Sequence, residues 1–528
     1  MVKSFHTYNH IPKGLIMNKF FLLLSLAGLA AMAQTTVLDL SFTPDQMKDY
    51  KLPDFAKIDV IDGNPCLAVT STKTGPMNVV EIPFDYSKYA DYSVVITTRV
   101  KFADVSQPKD NWNGTKMQAT FVIPAGRQWK NAGGGEFGTS DWHVVETSFI
   151  APKDISKEGG SIQLGLQDST GTIWFDDLKV TVTSPDEIFP KMTPPEYKCV
   201  YTDRVKMEHL YRGVMSPGSF NPQTTIQKDL PDLRSWGANL IRWQLIREWH
   251  ARNNNQDPDE YLGWVNARIP EVKQVLDKCQ ELGIKVVLDL HVAPGGRATS
   301  GHMNMFEKKL FADTFEKAWI NLATAVKGHP ALYGYDLINE PSQPVRKVMV
   351  DYLSLQYRVA KTVRGIDPDT PIIIESNGWD SANDFAYLTP LPMENIIYQA
   401  HMYTPGEFTH QGIGTRKKGV KYPNDEKKWN KEMLRKAMQP VRDFELKHGA
   451  KIYFGEFSAA RWAEGAENYI QDVIDIFEEY GWDWSYHAFR ESHCWDVEIP
   501  PDGNPGAQNR VEMTARKQVL INAFKKNK

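Results

Sequence analysis

Eight short apolar runs, at 209–215, 238–243, 284–291, 332–339, 371–376, 396–401, 451–456 and 481–489, recur through the second part of the chain. Rich in Ile, Val, Leu and aromatic residues, they have the composition of strands buried on both faces. The stretches at 269–282, 311–326, 347–365, 429–448, 467–480 and 510–525 instead read as amphipathic helices. Strands buried on both faces need helices packed outside them. Eight strand-and-helix units over 208–528 therefore predict an α/β fold closed as a (β/α)8 TIM barrel.

The preceding residues follow another rule. Between 34 and 183 the stretches 37–42, 92–102, 142–149 and 172–180 alternate apolar and polar positions, punctuated by Gly, Asp and Asn. Period two predicts strands with one buried face, hence a smaller all-β jelly-roll sandwich ahead of the barrel. Pro185, Pro190, Pro194 and Pro195 remove backbone donors and favour extended chain, which marks 184–207 as a linker. At the other end Lys19 precedes an apolar run at 20–32 that leads into Ala31-Met32-Ala33. A positive start, a short apolar core and a small-x-small end read as a signal peptide over 1–33. Its removal would leave a secreted or periplasmic protein with no transmembrane segment.

Composition narrows the partners. A net charge of −4 with no Lys/Arg-rich stripe leaves no footprint for nucleic acid. Cys66, Cys199, Cys279 and Cys494 are too scattered for a disulfide framework and are expected to be free thiols. The 15 Trp and 21 Tyr suit a partner with flat apolar faces, such as a sugar, although buried aromatics also pack cores. Trp112, Trp129 and Trp142 are the sandwich residues that fit a stacking platform, with core and loop packing as the alternative.

In such barrels chemistry sits at the C-terminal ends of the strands. There the apolar runs are interrupted by Arg242, His291, Asn339-Glu340, His401, Tyr403 and Glu456. Two carboxyl groups delivered from two strand ends suit acetal cleavage: one protonates the leaving oxygen, the other captures or stabilises the oxocarbenium-like centre. That chemistry needs no cofactor. Nor is a metal expected, because His487, His493 and Cys494 lack a repeated ligand spacing and a fourth ligand.

The set 240–242, 289–291, Asn339-Glu340-Pro341, 401–403 and 454–456 resembles family 5 of the glycoside hydrolases, the cellulase and mannanase family. The resemblance implies that Glu340 is the general acid/base and Glu456 the nucleophile of a retaining double displacement. It places Asn339 on the sugar 2-hydroxyl, Arg242 and Tyr403 on the nucleophile, and His291 and His401 beside the cleaved bond. Arg242 would keep Glu456 ionised. One position departs from the pattern: many relatives end strand eight with a tryptophan under the sugar, and His487 stands there instead. Trp495, in the following loop, is the candidate stacking residue. The run 173–182 likewise resembles the last strand of jelly-roll carbohydrate-binding modules. Together these imply a monomeric endo-β-glycanase acting on β-1,4-linked glucan (cellulose, mixed-linkage glucan or xyloglucan). A β-mannanase and a non-catalytic glycan-binding protein remain alternatives.

Overall fold

The computed structural model describes residues 35–110, 112–132, 135–201, 210–217, 224–247, 255–298, 300–414 and 416–527. The expected signal peptide lies outside the described residues. Ten strands build the first unit: β1 (Thr35–Leu40), β2 (Ala56–Ile61), β3 (Asn64–Ser71), β4 (Met77–Pro83), β5 (Ser93–Val105), β6 (Gly114–Ile123), β7 (Gly126–Asn131), β8 (Gly138–Ile150), β9 (Ser161–Gln167) and β10 (Gly171–Thr183). They form two antiparallel sheets, ordered β2-β3-β10-β5-β8 with β1 added on β10, and β4-β9-β6-β7. Ile96 and Phe175 from the first sheet meet Phe121 and Leu164 from the second in one core. Strand β10 shows how its letters set its shape. Its buried residues switch from odd positions (Ile173, Phe175) to even ones (Leu178, Val180, Val182), and the pairing with β5 slips between Asp176 and Lys179. A β-bulge absorbs the change of phase, with Asp177 at φ 51.

The second unit is a closed barrel of eight parallel strands in chain order, so the predicted fold is the observed one. They are β11 (Arg212–Pro217), β12 (Leu240–Gln244), β13 (Lys285–Asp289), β14 (Leu332–Asp336), β15 (Ile372–Glu375), β16 (Ile396–Met402), β17 (Lys451–Phe457) and β18 (Asp483–Tyr486). Outside them lie α1 (Leu230–Ser235), α2 (Pro258–Leu282), α3 (Lys309–Val326), α4 (Tyr352–Ile366), α5 (Lys431–His448), α6 (Ala466–Tyr480) and α7 (Ala515–Phe524). The fifth unit departs from the expected strand-and-helix pattern. Between β15 and β16 there are only short helical turns, Asn377–Asp380 and Ala382–Ala386, because Gly378, Trp379 and Asp380 turn to positive φ. That frees the chain after β15 to form part of the rim.

Residues 184–201 are packed rather than loose. Ile188 and Phe189 enter the barrel core, and the Tyr197 hydroxyl donates to the Met393 carbonyl at 3.0 Å. The Cys199 N–H donates to the His448 carbonyl at 2.8 Å. The prolines sit in a strap whose register on the barrel is set by these few donors. The sandwich itself seats on the loop after β14. Ser93 donates its hydroxyl to the Val345 carbonyl, and Arg346 bridges Glu146 of β8 at 3.1 Å and Glu307 at 2.8 Å.

Inside the barrel the side chains are layered. Leu240, Val287, Tyr333, Ile373, Ile397 and Tyr453 form an apolar floor. Two positions further along four of these strands stand Arg242, Asp289, Glu375 and Gln399, all fully buried, because alternate residues of a strand share one face. On β14 the pairing with β13 shifts register. Tyr335 turns outward onto Trp319, with ring centroids 5.8 Å apart, and Asp336 reaches Arg242.

Candidate active site

Arg242 is the hub of the polar layer. Its Nε donates to Asp336 Oδ2 at 2.8 Å, Nη1 to Glu456 Oε1 at 2.7 Å, and Nη2 to Glu375 Oε1 at 3.0 Å and Asn339 Oδ1 at 3.1 Å. Asp289 Oδ2 lies 3.3 Å from Nη2. One guanidinium cannot hold four buried carboxylates ionised. Burial, with Asp380 and Asp336, accordingly pushes Glu375 well above the usual carboxylate range, against the pull of Arg242. Burial likewise raises Asp336 to about 6, with Arg242 opposing.

Glu456 goes the other way. Burial alone would raise it, but His401, His487, Arg242 and His291 together hold it well below the usual range. Tyr403 adds a hydroxyl donor to its Oε2 at 2.9 Å. The result is a buried, ionised carboxylate with its charge neutralised from several sides. Local backbone brings it there. The β16–β17 pairing slips at Ala400/His401, which sets His401 opposite Glu456. Gly455 carries no side chain where a Cβ would come within 2.5 Å of Gln399.

Glu340 follows β14 in a left-handed conformation, φ 52, held by three contacts. Its N–H donates to Glu375 Oε2 at 2.6 Å, its carbonyl accepts from Arg297 Nη2 at 2.8 Å, and its Oε1 lies 3.0 Å from His401 Nδ1. A carboxylate oxygen of Glu340, one of Glu456 and a His401 nitrogen all lie within 4.8 Å of one another. Asn339 is clamped between Arg242 and His291, whose Nε2 lies 3.3 Å from Asn339 Nδ2 and whose Nδ1 is 2.8 Å from Asp289 Oδ2.

Glu340, Trp379, His401, Tyr403, His410 and Trp495 line a cleft of about 610 Å³ over this pair. A larger open depression of about 740 Å³, on the flank between Lys421 and Asn468, mixes Lys421 with Asp425, Glu426, Glu464 and Glu467. Glu340, His401 and Tyr403 line the smaller cleft and reach Glu456 from it, so the chemistry belongs there. Trp495 stands in that cleft, 4.8 Å from the His487 ring and 5.9 Å from Tyr403 between centroids. His487 itself follows β18, with Nδ1 2.7 Å from the Tyr403 hydroxyl.

The structure thus brings Arg242, His291, Asn339, Glu340, His401, Tyr403, Glu456 and Trp495 to one rim. It adds residues that sequence reading did not single out. Asp336, Glu375, Gln399 and Asp380 belong to the buried polar network around Arg242. Trp379 is a second cleft aromatic, 39% exposed, with the Arg297 guanidinium 4.3 Å from its ring centroid. The period-two spacing 373→375 and 397→399 was the available signal for two of them. Trp379 had none, since its place depends on the irregular loop after β15. As for a cation, the candidate groupings share His401 and include Glu456 or Glu375, whose oxygens already receive Arg242. The positive charge there is supplied by the protein.

An opposed pair of carboxyl groups at the C-terminal rim of a (β/α)8 barrel is the architecture of a glycoside hydrolase. The sequence model described as "Cellulase (glycosyl hydrolase family 5)" matches residues 206–492, and the chain belongs to that family of glycoside hydrolases. Endoglucanase C of Acetivibrio thermocellus is 28% identical over 285 residues, covering 47% of this chain and 79% of that protein. Endoglucanase 3 of Fibrobacter succinogenes is 24% identical over 404 residues, 67% of this chain and 59% of that protein. Among solved structures, a hyperthermophilic endo-beta-1,4-glucanase in complex with substrate is similar with a TM-score of 0.46 and 21% identity, over 57% of this chain and 90% of that one.

Proposed function

We propose that the protein is an exported, retaining endo-β-glycanase that hydrolyses β-1,4-linked glucans. The observation that carries this reading is the Glu340–Glu456 pair, whose carboxyl oxygens approach within 4.8 Å. Retaining enzymes hold their carboxyls about 5 to 5.5 Å apart, too close for a water to attack between them. Glu456, ionised and charge-neutralised, attacks the anomeric carbon while Glu340 protonates the departing oxygen. Glu340 then takes a proton from water, which displaces Glu456. Asn339 holds the 2-hydroxyl, Arg242 and Tyr403 orient the nucleophile, and His291 and His401 line the subsite beside the cleaved bond. Trp379 and Trp495 supply the stacking faces.

The glucan preference is supported by the endoglucanase names of the relatives. Export is supported by the apolar run at 20–32. Among the described residues no helix is long and apolar enough to cross a membrane. Trp112 and Trp129, 53% and 55% exposed, support a glycan-binding role for the sandwich.

The test is reducing-sugar release from soluble β-glucans, xyloglucan and mannan by the wild type, Glu340→Gln and Glu456→Gln. The expected outcome is turnover of one or more β-1,4-glucans by the wild type only, with release as the β-anomer. Preferential release from mannan would move the substrate assignment. An inert wild type that still binds glycan would replace the enzyme reading.

A further inference from the structure

The protons around His487 can be counted. Tyr403 has one hydroxyl proton, and its oxygen lies 2.9 Å from Glu456 Oε2 and 2.7 Å from His487 Nδ1. Glu456, a carboxylate, can only accept, so the tyrosine proton points to it. His487 Nδ1 must then donate to the Tyr403 oxygen. On the far side of the ring, Nε2 lies 3.2 Å from Glu491 Oε2, an ion-pair contact without hydrogen-bond geometry. A neutral ring protonated at Nδ1 would set the Nε2 lone pair against that carboxylate, so the contacts call for the imidazolium.

The surroundings agree with that count. Burial opposes a charge on His487, but Glu491, Glu456 and Glu340 outweigh it and raise its pKa above the usual value. Glu456 Oε2 is also within 3.4 Å of Nδ1. The Trp495 ring packs on His487, with His410 behind it at 5.2 Å, and His401 Nδ1 lies 3.9 Å from the same Glu456 Oε2. Burial and Arg416 lower His410 to about 4, so it brings no competing cation at neutral pH. Arg242 serves the other oxygen of Glu456.

We propose that His487, anchored by Glu491, is a positioning residue that holds a positive charge behind Tyr403 and promotes departure of Glu456 from the glycosyl-enzyme. The claim rests on Glu456 being the nucleophile. In the second half of the double displacement, water attacks the anomeric carbon and gives its proton to Glu340. The bond from that carbon to Glu456 breaks, and the electron pair returns to the carboxylate. A cation reached through the Tyr403 hydroxyl stabilises the charge as it develops. In the first half the same cation stabilises Glu456 before attack, so it favours the second step over the first.

The sign of the pH dependence follows. A histidine with a raised pKa is charged below that pKa and loses its charge as pH rises through it, so the assistance is lost on the alkaline side. The experiment uses an activated aryl β-cellobioside, for which deglycosylation limits kcat, with the wild type, His487→Gln and Glu491→Gln. For His487→Gln, kcat is expected to fall about tenfold or more while kcat/KM stays within about threefold, the split that marks a slowed second step. For Glu491→Gln, the alkaline fall in kcat should move to lower pH. Equal losses in kcat and kcat/KM for His487→Gln, or a Glu491→Gln profile that overlays the wild type, would overturn the proposal. Failure of the underlying reading is separate: it would show as undiminished turnover by Glu456→Gln.

Discussion

The backbone N–H of Glu340 donates to Glu375 Oε2 at 2.6 Å, tying the glutamate on the rim to the buried charge layer beneath it. Glu375 Oε1 receives Arg242, which in turn holds Glu456, so the two opposed glutamates are positioned through one shared side chain. Glu375→Gln places an amide NH2 against one of these donors. It is expected to lower kcat/KM about a hundredfold, the scale of a small misplacement at a reacting centre. The check is steady-state kinetics alongside a thermal melt, with a larger effect on rate than on folding.

Arg242→Met removes the guanidinium that pairs with Asp289, Asp336 and Glu375. An uncompensated buried charge costs about 3 to 5 kcal/mol, reduced here to the extent that Asp336 and Glu375 take up protons. The melting temperature should fall most at high pH, where protonation is hardest. A variant whose loss of stability is independent of pH would contradict the network.

Burial raises the Asp384 carboxyl to about 7. In the unfolded chain it ionises near the ordinary aspartate value, about 4. The folded state therefore binds the extra proton between those values and loses stability as pH rises through that window. Asp384→Asn should stabilise the protein by on the order of 2 kcal/mol at pH ~8 and by clearly less at pH ~5. Melts of both forms across that range give the comparison.

Trp379 is held between the Arg297 guanidinium and Gly301, where a Cβ would come 2.6 Å from the indole. A ring fixed in this way stacks on substrate at little entropic cost. Trp379→Ala is expected to raise KM about tenfold with kcat nearly unchanged, as for a group that binds ground state and transition state alike. An equal loss in kcat would assign the ring to the chemical step instead.

Much of this arrangement was legible in the letters. Apolar runs separated by amphipathic spans specified eight parallel strands. The polar residues that end those runs had to project from one rim, so Glu340 and Glu456 could be paired although far apart in sequence. The sandwich was legible too, whereas the phase change in 173–182 that the bulge in β10 absorbs came only with the structure. Residues 184–207 were read as a linker from the prolines at 185–195, and of these 184–201 are described. Their packing against the barrel depends on Ile188, Phe189 and Tyr197 finding partners distant in sequence.

The sequence by itself determined which elements form and which side chains share a face, because strand and helix periodicities are local properties of the backbone. Only the tertiary structure decided how those side chains are charged. Glu375 and Glu456 are both strand-end glutamates in contact with Arg242, yet one is pushed above the ordinary range and the other held below it. The difference lies in their neighbours: Asp380 and Asp336 beside the first, His401 and His487 beside the second. Those neighbours come from strands and loops that meet only when the barrel closes, and electrostatic energy depends on distances in space rather than positions along the chain.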